Sequence, residues 1–162
     1  MTDQQRATIA RLRQQQDLLQ FTQFSNDDAY DLGVQAVTAA GEANLSITID
    51  IRRHGQQLFH VARPGTSANN DAWIDRKVRL VNRFGDSSYL VHWILKRDGA
   101  TVEPSVGLDP LLYVAAGGSF PIILRGTGPV GTITVSGLKH DDDHNFVTRI
   151  LATHLHIDLP PN

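Results

Sequence analysis

Residues 117–138, GGSFPIILRGTGPVGTITVSGL, constrain the fold more than any other stretch of the chain. Two apolar runs flank a Gly/Pro turn, which is the pattern of a β-hairpin. Inside it, Gly126-Thr127-Gly128-Pro129-Val130-Gly131 matches the G-x-G-x-x-G of dinucleotide-binding loops letter for letter. Such a loop needs a helix after it, whose free N–H groups meet the pyrophosphate. Here the chain continues as Thr132-Ile133-Thr134-Val135-Ser136, alternating and β-branched, which is strand chemistry. The glycines are therefore turn residues.

Around this hairpin the pattern alternates between helix and strand. Residues 4–20 carry a thin apolar stripe of Ile9, Leu12 and Leu19 among glutamines, predicting a weakly anchored helix. A short extended piece is expected at 21–24, and Ser25 with Asp28 three residues on reads as a capping box opening a helix to about Ala43. The period then becomes two: Ile47, Ile49 and Ile51 alternate with Thr48 and Asp50, turn at His54-Gly55, and return through 58–63. Asn69 or Asn70 is expected to cap a helix reaching Phe84, where Gly85 stops it. The segment 89–95, YLVHWIL, is apolar on every side, so periodicity leaves helix and strand both open. Residues 100–110 read as a loop, with a short helical turn beginning at Asp109-Pro110. A final helix is expected from about Asp142 to Ile157, its three aspartates suiting the positive helix end.

Two hairpins with helices before, between and after them give an α+β chain, an antiparallel sheet covered on both faces. The expected organisation is an N-terminal helical extension with a short extended segment over 1–24 and a single domain over 25–162. At 162 residues the chain can bury a substantial core. A net charge of −2 supplies no field for nucleic acid or an anionic membrane. No apolar run approaches the roughly 20 residues of a bilayer-spanning helix, and the N-terminus lacks a signal-peptide centre, which predicts a cytoplasmic protein. With no cysteine, thiol nucleophiles, disulfides and thiolate metal sites are excluded together.

An ordered set of motifs runs through the chain: Ile47-Thr48-Ile49-Asp50-Ile51, Leu58-Phe59-His60, Trp73-Ile74 with Arg76-Lys77, Arg83-Phe84-Gly85, Gly107-Leu108-Asp109-Pro110, Gly117-Gly118 with Phe120-Pro121-Ile122, and Val135-Ser136-Gly137-Leu138. This set resembles the uncharacterised haem-degrading-domain-like family related to the GlcG and HbpS proteins, over about residues 20–155. The resemblance implies a profilin-like, three-layer α/β/α fold with a four- to five-stranded antiparallel sheet, and helix for 87–97. It implies homo-oligomers, and haem or another anionic metabolite as the ligand class. Relatives often carry His-Gly-Gly before the Phe-Pro pair, where this chain has Ala116, so a role for that imidazole does not transfer.

Among individual residues, Lys77 stands out. At about 100° per residue it falls on one helical face with Trp73, Leu80, Val81 and Phe84. An amine among apolar neighbours must snorkel or pair with an acid, and Asp50, mid-strand between isoleucines, is the expected partner. The plain reading is a structural ion pair. The sharper one is a ligand pocket lined by Asp50, Trp73, Lys77 and the backbone of Gly117, Gly118 and Ser119, the glycines presenting N–H groups to an anion. Paired glycines there equally serve to permit positive φ. His140 and His144, four apart, are the weak candidates for a metal pair, which holds only if the last helix includes both. No nucleophile elbow, phosphate loop or zinc-protease helix is present. The expected function is small-ligand binding; a small-molecule enzyme of the haem-degrading type and an oligomeric interaction module are the alternatives.

Overall fold

Alternating isoleucines at 47, 49 and 51 and their counterparts at 122 and 133 decide where the centre of this protein lies. The computed structural model describes residues 2–102 and 107–160. Its helices are α1 (Asp3–Leu18), α2 (Asn26–Glu42), α3 (Ala68–Phe84), α4 (Ser88–Arg97) and α5 (His140–Leu155). Its strands are β1 (Gln20–Phe21), β2 (Thr48–Arg53), β3 (Gln56–Ala62), β4 (Ser119–Leu124) and β5 (Gly128–Ser136). They form one sheet in the order β1-β4-β5-β2-β3. The expected antiparallel sheet needs one correction: β1 pairs with β4 in parallel, while the other three pairings are antiparallel. A parallel neighbour is possible because the chain leaves β1 through α2 and, among the described residues, passes through four further elements before it reaches β4.

The two sheet faces differ in chemistry. Ile47, Ile49, Ile51, Phe120, Ile122, Ile133 and Val135 share one core with Ala29, Leu32 and Ala36 of α2 and Phe146, Val147 and Ile150 of α5. Each large side chain so removed from water contributes roughly 1.5–3 kcal/mol. By the period of two, Thr48, Asp50, Thr132, Thr134, Ser136 and Ser119 point the opposite way, and all six are buried. α3 lies against β5, β4 and β2. α4 packs on both α3 and α1, with Ile9 and Leu12 meeting Tyr89 and Leu90.

Local signals account for the element boundaries. Ser25 and Asp28 form the expected capping box. α3 is capped by Ser67, with Asn70 completing its box, rather than by Asn69 or Asn70 themselves. Gly85 ends α3 at φ 74. The segment left open by its all-round apolarity is helix α4, capped by Ser87 through its bond from the Leu90 amide. α5 starts at His140, two residues before the expected Asp142. Residues 103–106 of the expected loop lie outside the described residues, and Leu112 and Tyr113 close a turn on Asp109.

Candidate functional site

The buried face of α3 consists of Ile74, Lys77, Val78, Leu80 and Val81. Trp73 and Phe84, expected on that face, stand at its borders, 36% and 40% exposed. Lys77 is buried as its position demands, but its partner is not Asp50. Its Nζ donates to Asp143 Oδ2 and to the Val135 carbonyl, both at 3.0 Å. Asp143 Oδ1 in turn accepts from the Leu138 amide at 3.1 Å. Burial pushes the Lys77 amine down from its usual range and the Asp143 carboxyl up, while their mutual attraction opposes both shifts.

Asp50 belongs to a separate network further along the sheet. Its carboxylate accepts from Gln57 Nε2 at 2.5 Å and from Arg52 Nη2 at 3.4 Å, and Oδ1 lies 2.7 Å from Arg52 Nε in a close ion pair. Arg52 then reaches Asp75 at 2.8 Å. The expected Asp50–Lys77 pair is thereby replaced by two pairs. The sheet period places Asp50 on the α3 side as expected, but α5 brings a second acid nearer to the amine.

The glycines serve close approach. A Cβ on Gly117 would overlap the His140 carbonyl, and one on Gly118 would sit 2.7 Å from Lys77 Nζ. Gly118 also has φ +119, a conformation side chains resist. The Ser119 N–H donates to Ser88 Oγ at 3.0 Å, so it does not face a ligand. Its hydroxyl shares a 2.8 Å bond with Thr134.

Two cavities flank residues 113–116, the irregular segment that leads into β4. One, of about 460 Å³, is lined by Trp73, Lys77, Ala116, His140 and Asp143. The other, of about 620 Å³, is lined by Arg76, His92, Leu95, Lys96, Tyr113 and Ala115 among others. A polar groove of about 660 Å³ lies apart, beside α5 and the C-terminal residues. The first two approach each other at the imidazoles, since His92 and His140 have ring centroids 4.7 Å apart.

His92 has a defined tautomer. Its Nδ1 lies 3.0 Å from the Ala115 carbonyl, which can only accept, so Nδ1 carries the proton and Nε2 keeps a lone pair. Burial pulls its pKa below the ordinary value, and repulsion from His140 and Lys96 adds to this against the Ala115 bond. A neutral imidazole with one nitrogen anchored on a carbonyl is the usual state of a histidine that ligates a metal.

The His140/His144 pair does not assemble a metal site, although α5 does include both residues. Tyr89 contacts both rings, at 5.2 Å from His140 and 4.8 Å from His144. His144 is 1% exposed and its Nε2 bonds to Gln15 Oε1 at 2.8 Å. Among the described residues, no group of three or more His, Asp or Glu side chains could hold a metal ion.

Sequence reasoning leaves His92 unchosen beside His54 and His60 among histidines able to ligate iron. It sets Arg76 on a solvated or partner-facing side, and reads Asp143 only as part of an acidic helix start. For Asp143 a signal existed, since it lies four residues before Val147 and seven before Ile150, on the stripe that α5 buries. For His92 none existed, because its whole segment reads as apolar and gives no face to assign it to.

The sequence profile of the haem degrading protein HbpS-like family matches residues 24–152. A UPF0303 protein of Streptomyces coelicolor is 49% identical over 144 residues, covering 89% of this chain and 91% of its own. A UPF0303 protein of Edwardsiella ictaluri is 45% identical over 150 residues, covering 93% and 96%. The crystal structure of the Ybr137w protein matches with a TM-score of 0.87 at 28% identity, over 94% of this chain and 92% of that one. HbpS matches with a TM-score of 0.66 at 20% identity, over 84% and 92%, and a PduOC:haem complex with 0.67 at 15%, over 85% and 99%. The last two likenesses concern the fold, whereas the family profile and the UPF0303 relatives reach the sequence itself. The chain belongs to the haem degrading protein HbpS-like family, and its relatives include the UPF0303 proteins.

Proposed function

We propose that this protein binds a small anionic ligand of the haem class in the cleft of about 620 Å³ between α3, α4 and the segment at Tyr113–Ala115. The observation that carries this reading is His92: neutral, held on the Ala115 carbonyl, and keeping a lone pair on Nε2 at the cleft wall. The cleft falls within the roughly 300–1,000 Å³ of small-ligand pockets. The family's description and the haem of the PduOC complex support the same class. His92 would hold the iron; the bound group would supply a redox-active iron centre. Trp73, Lys77 and Ala116 line the neighbouring cavity. Lys77, spent on Asp143, keeps the wall of that cavity in place.

Haemin titration tests this directly. A sharp, saturable Soret band is expected, weakened about tenfold or more in affinity by His92→Ala and unchanged by His156→Ala on the exposed helix end. A featureless, nonsaturable response, or indifference to His92→Ala, would overturn the reading.

We infer also that copies of the chain associate, the expectation that goes with membership of the HbpS-like family. Light scattering should return a mass above 17.9 kDa; a monomer would refute it.

A further inference from the structure

Both tryptophans of this chain hold a cation. The Arg76 guanidinium lies over the Trp73 ring at 5.0 Å, and the Lys96 ammonium over the Trp93 ring at 4.5 Å. The two pairs stand on different helices, α3 and α4, and both cations line the same cleft. Arg76 is further fixed by donating Nη2 to the Pro110 carbonyl at 2.7 Å, while its buried Nε has no partner. Among the described residues lining the cleft there is no acidic side chain to neutralise either charge. The floor between them is largely apolar, with Leu95, Val102 and Val114.

Two positive groups that no carboxylate of the cleft satisfies would repel and scatter into water if left free. Here each is instead held in place by a ring face, an arrangement worth about 0.5–1 kcal/mol when exposed and more when desolvated. Holding a cation in advance spares the ligand part of the ordering cost on binding. A ligand that fits such a cleft has an apolar body and two separate anionic arms.

The geometry points to Arg76 and Lys96 as a two-point clamp for the paired carboxylates of an apolar dicarboxylate, with Trp73 and Trp93 as the residues that position them. This rests on the cleft assigned under the proposed function, and adds the recognition of charge, which is independent of any iron ligand. No covalent step is involved.

Metal-free protoporphyrin IX and its dimethyl ester separate the two ideas, because they share a body and differ in the two carboxylates. Binding is read by quenching of the two tryptophans, whose ring faces carry the two cations. The diacid is expected to bind about tenfold or more tighter than the diester, since charge-assisted contacts carry most of the difference. Lys96→Gln and Arg76→Gln should each lower diacid affinity about three- to tenfold, and together abolish the preference over the diester. Arg76→Lys, which keeps the charge, should retain part of it, and circular dichroism melts confirm that each variant is folded. His156→Ala, on the exposed helix end, should leave metal-free porphyrin binding unchanged. Equal binding of diacid and diester, a preference that survives the double variant, or no saturable diacid binding would overturn the clamp. A haemin band that depends on His92 yet ignores Arg76 and Lys96 would sink the clamp and leave the cleft reading standing.

Discussion

Lys77 and Asp143 show what a single buried charge requires. Both side chains are 3% exposed, so each is tolerable only because the other is present. Lys77→Met should cost about 3–5 kcal/mol of stability in urea denaturation, because it strands the carboxylate. The double change Lys77→Met with Asp143→Leu should recover most of that loss. His144 makes a second prediction, read with pH. Burial, and then the charge of Arg11, pull its pKa from 6.5 to about 3. The unfolded chain therefore takes up a proton that the fold refuses. Stability is fully present above pH 6.5 and falls as pH drops towards 3, by up to about 1.4 kcal/mol per unit. His92 and His154, also shifted down by burial, act in the same direction. Equilibrium denaturation across that range should show a shallower acid slope in His144→Gln than in the parent chain.

At the scale of elements, two contacts decide how helices sit on the sheet. Gly33 of α2 faces the ring of Phe59 on β3, and a Cβ there would overlap that ring. Gly33→Ala gains about 1 kcal/mol of helix propensity, yet overpacking of about 1–3 kcal/mol outweighs it. A lowered melting temperature is expected, restored when Phe59→Leu is added. The cap of α2 is a separate matter: Ser25 accepts from the Asp28 amide at 3.1 Å, so Ser25→Ala should cost about 1 kcal/mol. Capping chemistry of this kind was legible in the sequence because it is local. The start of α5 was not, since Lys139 offers no side-chain cap and the helix begins at a residue with no signal of its own. Segment 89–95 was also illegible from its residues, because burial against α1, α3 and the sheet removes the polar face that would have shown its period.

For the whole molecule, the N-terminal segment is part of the packed body. α1 buries Ile9 and Leu12 against α4, and β1 adds a strand to the sheet edge. Removing residues 1–18 should lower the unfolding free energy by roughly 3–6 kcal/mol, two buried aliphatic side chains' worth, measured by urea denaturation. Unchanged stability would show α1 to be an appendage. No helix among the described residues is long and apolar enough to cross a membrane.

Local spacing in the sequence was enough to fix the two hairpins, the capped helices and the burial of both Asp50 and Lys77. Those features depend on neighbours within a few residues, where periodicity and turn chemistry act. Of the three glycines read as turn residues only Gly126 lies in the turn, while Gly128 and Gly131 belong to β5 and pair with β4. Which acid meets the amine, which histidine faces a cleft, and which cations share it were decided by tertiary structure. Lys77 and Asp143 are 66 residues apart, and His92 is 23 from the carbonyl that sets its tautomer. A sequence carries no distance between such positions; only the packing of α3, α4 and α5 around one sheet supplies it.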